Sequence, residues 1–231
     1  MHMTKYCIIN LKAYEEVFNE NLEEFIEIAK ECSKRARELN VELILCVNSY
    51  DLKEAVQLSQ GEIQIFAQHI SPIPFGSGTG HLPAVASIRL GALGSLISHS
   101  EHYLSLEETI DTTIHAQELH LTTCICVRDN QRLEKLKSHN IVGLVALEPP
   151  ELIGGDISVT SANPNIIKDA VEIIQKSQLE LLVGAGIKSK EDVSRAVELG
   201  ASGILVASGV IKVENKQAAI LDLIEGFNID N

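Results

Sequence analysis

Three segments of this 231-residue chain place residues capable of proton chemistry directly after apolar runs. Glu148 closes the run Ile141 to Leu147. A carboxylate there is costly to desolvate, and the same desolvation raises its proton affinity toward that of a useful general base. His99, in Ser98-His99-Ser100-Glu101-His102, follows another run, and a neutral imidazole can give or take a proton near neutral pH. A histidine with both ring nitrogens satisfied in the core is the open alternative. Because the His/Glu/His spacing matches neither H-E-x-x-H nor a paired C-x-x-C set, proton transfer is expected and no metal. Asn10 and Lys12 end the first run. In an extended segment they share the side opposite Ile9 and Leu11, so both can face a common site, although a lysine there can also be solvated surface.

Two further segments, Gly184-Ala185-Gly186-Ile187 and Ala207-Ser208-Gly209-Val210, consist mostly of small residues. Small residues let a ligand approach backbone N–H groups, and a phosphate is the ligand expected. This signal specifies a phosphate and leaves the reaction open. After Glu148, Pro149-Pro150 stiffens one end of a loop and Gly154-Gly155 frees the other. That make-up predicts a segment swinging on hinges, against the alternative of a rigid turn.

The elements that must carry these residues follow from hydrophobic periodicity. Val/Ile/Leu-rich runs occur at Lys5 to Asn10, Val41 to Val47, Glu62 to Ala67, Leu93 to Ile97, Thr122 to Val127, Val142 to Leu147, Glu180 to Val183 and Gly203 to Val206. Between them lie helical spacings such as Leu22, Phe25, Ile26, Ala29, or Ile166, Ile167, Ala170, Val171, Ile174, or Val193, Ala196, Val197. A third helix is expected with Pro83 in its first turn and Gly91 closing it. Eight βα units of about 29 residues each predict an α/β protein, a (β/α)8 TIM barrel in which residues 1–231 form a single domain. A doubly wound open sheet is the alternative, but no G-x-G-x-x-G loop follows Asn10. In a barrel, all the residues singled out above would lie at the carboxyl ends of strands, where such folds build their sites.

Composition narrows the partners. With 19 basic and 32 acidic side chains the formal charge is −13, and no Lys/Arg run exceeds two, so no nucleic-acid partner is expected. The longest apolar run is seven residues, against the roughly 20 of a membrane span. Met1 to Asn10 does not read as a signal peptide. Among the five cysteines, Cys7, Cys46, Cys124 and Cys126 sit in apolar runs where a thiol packs as a small hydrophobe, which points to a cytoplasmic location.

Together, Asn10-Leu11-Lys12, Gln68-His69-Ile70, Ser77 to His81, His99-Ser100-Glu101, Glu148 to Gly154, Gly184-Ala185-Gly186-Ile187 and Ala207-Ser208-Gly209 resemble the triosephosphate isomerase family in its short archaeal form. Glu148-Pro149-Pro150-Glu151-Leu152-Ile153-Gly154 is the most specific of these matches. The resemblance implies Glu148 as general base and His99 as neutral electrophile, a division of roles carried over from the family's general scheme. It implies that Asn10 and Lys12 bind substrate, that Glu101 holds Lys12, and that Ile153, Gly186, Ala207 and Ser208 line a phosphate site. The implied reaction interconverts dihydroxyacetone phosphate and D-glyceraldehyde 3-phosphate without a cofactor, in glycolysis and gluconeogenesis, by a homo-oligomer that is a tetramer or a dimer.

The chain departs from the family pattern at three places. Gly154-Gly155-Asp156 stands where Gly-Thr-Gly is usual, His102 where an arginine usually follows His-Ser-Glu, and Gly78 where the archaeal form commonly has histidine. The first departure keeps open a paralogue acting on another small sugar phosphate, such as a tetrulose phosphate. A non-catalytic phosphate-binding barrel is the third reading, and it leaves a base at Glu148 without a purpose.

Overall fold

Side-chain alternation sorts the apolar runs into two layers. In the strand Lys5–Asn10, Ile8 joins an inner cluster with Ile44, Phe66, Leu96, Leu144, Leu182 and Leu205, while Cys7 and Ile9 join an outer cluster with Phe25 and Ile26. Both faces are therefore apolar, as expected of parallel strands covered by helices outside and by one another inside. The computed structural model describes residues 4–152 and 158–229. Its strands β1 (Lys5–Asn10), β2 (Val41–Val47), β3 (Gln64–Ala67), β4 (Gly94–Ile97), β5 (Thr122–Val127), β6 (Val142–Leu147), β7 (Gln178–Val183) and β8 (Gly203–Val206) are parallel and pair in chain order. Pairing of β8 with β1 closes the barrel. The expected (β/α)8 architecture is the one observed.

Helices α1 (Glu20–Glu38), α2 (Leu52–Ser59), α3 (Ala84–Leu90), α4 (Leu106–Glu118), α5 (Asn130–Lys137), α6 (Val159–Ala162), α7 (Pro164–Ile174), α8 (Lys190–Glu198), α9 (Ser208–Ile211) and α10 (Lys216–Glu225) alternate with the strands. The face read from α1 is buried, as are Ile167 and Ala170 of α7 and Val193 and Ala196 of α8. None of the helices is long and apolar enough to cross a membrane among the described residues. Pro83 precedes α3 as its cap and lies outside the first turn, while Gly91 ends the helix at φ +99°.

Three strand starts differ from expectation, β4 by one residue, at Gly94 in place of Leu93, and β3 and β7 by two for local reasons. β3 begins at Gln64 because Gln60 and Gly61 adopt positive φ and the Glu62 N–H donates to the Ser59 carbonyl, which keeps Glu62 in a turn. β7 begins two residues earlier than expected, at Gln178, because β6 offers partners back to Val142. Inside the barrel, the absent side chain of Gly94 makes room for Phe66, whose ring would lie 2.4 Å from a Cβ there. Burying an aromatic side chain of this size stabilises the fold by roughly 2–3 kcal/mol.

Closure itself depends on Gly203. A Cβ at that position would lie 2.1 Å from the Tyr6 carbonyl oxygen and 2.8 Å from Leu182 Cδ2. The carbonyl belongs to the β1–β8 ladder and cannot withdraw without opening it. Gly203→Ala should therefore cost about 3 kcal/mol or more, at the upper end of overpacking penalties, measured by urea denaturation. An unchanged midpoint would show that the β8–β1 seam yields.

Candidate active site

The strand ends converge as alternation requires. Asn10, at the end of β1, is buried, and its Oδ1 accepts from the Lys12 backbone N–H at 3.0 Å. That contact folds Leu11-Lys12 back across the barrel mouth with Lys12 at φ +50°, a region strained for a lysine. Gln68, just past β3, over-determines the geometry: its Nε2 donates to Asn10 Oδ1 (3.1 Å), the Lys12 carbonyl (2.9 Å) and the Cys46 carbonyl (3.2 Å). The Lys12 ammonium in turn donates to Glu101 Oε1 at 2.7 Å. Glu101 is 59% exposed, so this pair orients the ammonium more than it stabilises the fold.

His99 stands two residues past β4 and is buried. Its Nδ1 accepts from the Glu101 backbone N–H at 3.2 Å, so the neutral ring carries its proton on Nε2. Burial first, and then the Lys12 cation, push its pKa from 6.5 down to about 4. The preceding Ser98 sits at φ +59°. That turn is clamped by the Leu104 N–H donating to Ser98 Oγ (3.2 Å) and by Arg132, whose guanidinium donates to the Leu104 carbonyl (2.8 Å) and Thr109 Oγ1 (2.8 Å).

Glu148 extends β6, its N–H bonded to the Val127 carbonyl at 2.8 Å. Its side chain occupies space that only a glycine at 184 leaves open, since a Cβ there would lie 2.5 Å from Glu148 Cγ. The carboxylate is buried, Oε2 has no hydrogen-bond partner among the described residues, and Oε1 lies 3.8 Å from His99 Nε2. Burial pushes its pKa from 4.5 up to about 7, against smaller opposing pulls from the Cys126 thiol and Lys12. With the imidazole neutral, the 3.8 Å separation is no ion pair. It leaves a donor and a basic oxygen aimed at a shared space.

That space is one cavity lined by Asn10, Lys12, His99, Glu148, Gly184, Gly186, Ala207 and Ser208, with Tyr14, Lys188 and Gly209 in its wall. Gly186 adopts φ +71°, which favours glycine. Asn10, Lys12, His99, Glu148, Gly186, Ala207 and Ser208 are thus brought together, with Glu101 beside them through Lys12. Ile153, and the variant positions Gly155 and Asp156, lie outside the described residues. His102 packs its ring against that of His69, centroids 4.2 Å apart and planes tilted by 40°. Among the described residues, no three His, Cys, Asp or Glu side chains are grouped as a metal ion would require. Gln68 and Gly184 stand in segments quoted from the sequence, Gly184 in one read as small residues for a phosphate, but neither was given the role seen here, and Arg132 was not singled out.

A closed barrel whose mouth opposes a proton-avid carboxylate to a neutral imidazole beside a lysine and a small-residue floor belongs to the class of enzymes that shuttle protons on small phosphorylated substrates. Residues 5–226 match the model of triosephosphate isomerase. The triosephosphate isomerase of Thermoplasma volcanium is 36% identical over 220 residues, spanning 94% of this chain and 98% of that protein. That of Methanopyrus kandleri is 37% identical over 225 residues (95% and 96%), and that of Saccharolobus solfataricus 36% over 220 (94% and 93%). The chain belongs to the triosephosphate isomerase family.

The two shifts have opposite consequences for stability. Between about pH 4.5 and 7 the folded protein keeps a proton on Glu148 that the unfolded chain has released, so this group lowers stability as pH rises. Between about pH 4 and 6.5 the unfolded chain protonates His99 while the fold does not, so His99 raises stability over that range. Glu148→Gln removes only the first effect. Denaturation at pH 8 should show the variant more stable than wild type by roughly 1–3 kcal/mol, with the gain shrinking toward pH 4.5. An equal difference at both pH values would contradict the assigned burial cost.

Proposed function

We propose that the chain interconverts dihydroxyacetone phosphate and D-glyceraldehyde 3-phosphate through an enediol(ate). The observation that carries this reading is the pairing of Glu148 and His99 over one cavity, with burial raising the proton affinity of the first and keeping the second neutral. Ionised Glu148 takes the proton from the carbon beside the carbonyl. The C–H electron pair becomes the new C=C bond, the carbonyl π pair moves to oxygen, and the Nε2–H of His99 donates to that oxygen. The proton of the adjoining hydroxyl passes to the former carbonyl oxygen by way of His99 Nε2, and return of the carbon-bound proton to the neighbouring carbon then gives the isomer. No electron leaves the substrate, so the balance calls for no cofactor. Lys12 places a positive charge beside the developing oxyanion and Asn10 holds its loop, with Glu101 orienting the ammonium. Gly186, Ala207 and Ser208, with Ile153, receive the phosphate.

The same reading makes the protein a cytoplasmic homo-oligomer, tetramer or dimer, of glycolysis and gluconeogenesis, with a small phosphorylated sugar and no nucleic acid as its partner. Supporting it are five cysteines that are all buried and free, which fits a reducing compartment, and the exposed Tyr50 (88%) and Phe75 (51%) available to a second copy.

A coupled assay with glyceraldehyde 3-phosphate tests the reaction and the substrate together. Wild-type protein should turn it over, and faster conversion of a tetrulose phosphate would move the assignment to the paralogue. Glu148→Asp should cut kcat about 100-fold with little change in KM, because retracting the base by ~1 Å misplaces it. Lys12→Met should raise KM and lower kcat together. Near-wild-type turnover in either variant would remove that residue from the mechanism.

A further inference from the structure

His99 and the anchor of Lys12 sit on one short loop, and that loop is closed at its base. Residues 98–105 run from the end of β4 to the cap of α4. At the near end Ser98 holds φ +59°, and the tight turn Ser100–His102 starts from His99, whose carbonyl accepts from the His102 N–H at 2.8 Å. At the far end Leu104 meets Ser98: Ser98 Oγ accepts from the Leu104 N–H at 3.2 Å and donates to the Leu104 carbonyl at 3.4 Å. Between these ends the loop makes two contacts on which the site depends. The Glu101 N–H donates to His99 Nδ1, and Glu101 Oε1 accepts from the Lys12 ammonium. Opening the base would displace both together.

A cation on the next βα unit holds this base shut. Arg132 lies in the first turn of α5, and its Nη2 is 2.8 Å from the Leu104 carbonyl oxygen, 2.8 Å from Thr109 Oγ1, 3.1 Å from the Ser105 carbonyl oxygen and 3.4 Å from Ser98 Oγ. One end of the guanidinium thus spans both sides of the base. Hydrogen bonds from a charged donor are roughly twice as strong as those between neutral groups, so Arg132 closes the loop more firmly than the Ser98–Leu104 contacts do. The Tyr103 ring covers the guanidinium, its centroid 4.6 Å from Cζ. All four of these oxygens are uncharged, and Nε is buried with no hydrogen-bond partner among the described residues. A donor left unsatisfied costs stability, so the side chain is placed to serve the loop at the expense of its own pairing. Arg128 makes the contrast: it also lies beside Tyr103, at 5.6 Å, but it pairs with Asp129 and is 60% exposed.

We propose that Arg132 is a positioning residue for the reaction: by closing the base of this loop it keeps the Glu101 N–H on His99 Nδ1, and so keeps the imidazole proton on Nε2, toward Glu148. The kinetic part of this rests on the isomerase reading; the tautomer part does not. Arg132→Met keeps the stem and removes the donors, Arg132→Lys keeps the charge without the planar fork, and Arg128→Met removes an equal charge beside the same ring. For each protein, kcat and KM for glyceraldehyde 3-phosphate are measured together with the nitrogen-15 spectrum of His99. Arg132→Met should lower kcat about 10- to 100-fold, the scale of a reacting group misplaced by up to ~1 Å, with KM changed far less because the small-residue floor lies on other strands. In the same variant His99 should carry its proton on Nδ1 in part of the molecules, or titrate well above the wild-type midpoint of about 4. Arg132→Lys should fall between, and Arg128→Met should match wild type. Wild-type kcat in Arg132→Met, a loss of kcat with the His99 spectrum unchanged, or an equal loss in Arg128→Met would overturn the proposal. Should Arg132→Met not fold, Arg132→Lys decides: partial loss of kcat with an altered His99 spectrum supports the role, and wild-type values in both overturn it. If wild type does not turn over the triose phosphate, the isomerase reading fails, while the His99 spectra still decide the role of Arg132.

Discussion

The mouth of this barrel is organised around a carboxylate held where water barely reaches. Glu148 is 5% exposed, is tied to the ladder through its own N–H, and fits only because residue 184 has no side chain. Beneath it the barrel interior is filled by Cys46, Cys124 and Cys126 together with Phe66, Leu96 and Leu182, which deny the charge both water and donors other than a thiol. Such a group opposes folding whenever it is ionised. The surrounding barrel, closed at every seam and apolar on both strand faces, supplies the stability that lets it remain.

Burial acts on the facing histidine by the same physics and with the opposite result. Desolvation disfavours charge whatever its sign, so it raises the proton affinity of a carboxyl and lowers that of an imidazole. Burial around one cavity thereby yields a base that can hold a proton near neutral pH and a donor that stays uncharged. The polar clamps serve this arrangement. Gln68 keeps Lys12 at its strained φ, Glu101 anchors both Lys12 Nζ and His99 Nδ1, and Arg132 secures the turn through Ser98. The geometry gives a physical reason for Glu148, His99 and Lys12 together.

Much of this was legible in the chain. Continuous apolar runs announced strands buried on both faces, and the polar residues where those runs stop, Asn10, His99 and Glu148 among them, marked the mouth. Strand starts at β3 and β7 were less legible, because a positive-φ turn at Gln60 and the length of the neighbouring β6 decide them. The clamps were hidden for a different reason. Gln68 reaches Asn10 across 58 residues and Arg132 reaches Leu104 across 28, and such contacts follow from barrel closure and not from any local pattern. The small-residue segments showed where a ligand approaches; only the assembled cavity shows which charges meet it.

The central claim is that burial holds His99 neutral, with its proton on Nε2, opposite a carboxyl whose proton affinity is raised. Nitrogen-15 NMR of the imidazoles, with His99→Gln used for assignment, tests it most directly. The account predicts that the His99 signals stay unchanged from pH 8 down to about pH 5, with Nδ1 at the chemical shift of an unprotonated acceptor and Nε2 at that of an N–H, and that titration is centred near 4. A His99 titration with its midpoint near the ordinary 6.5, or a proton on Nδ1, would contradict it.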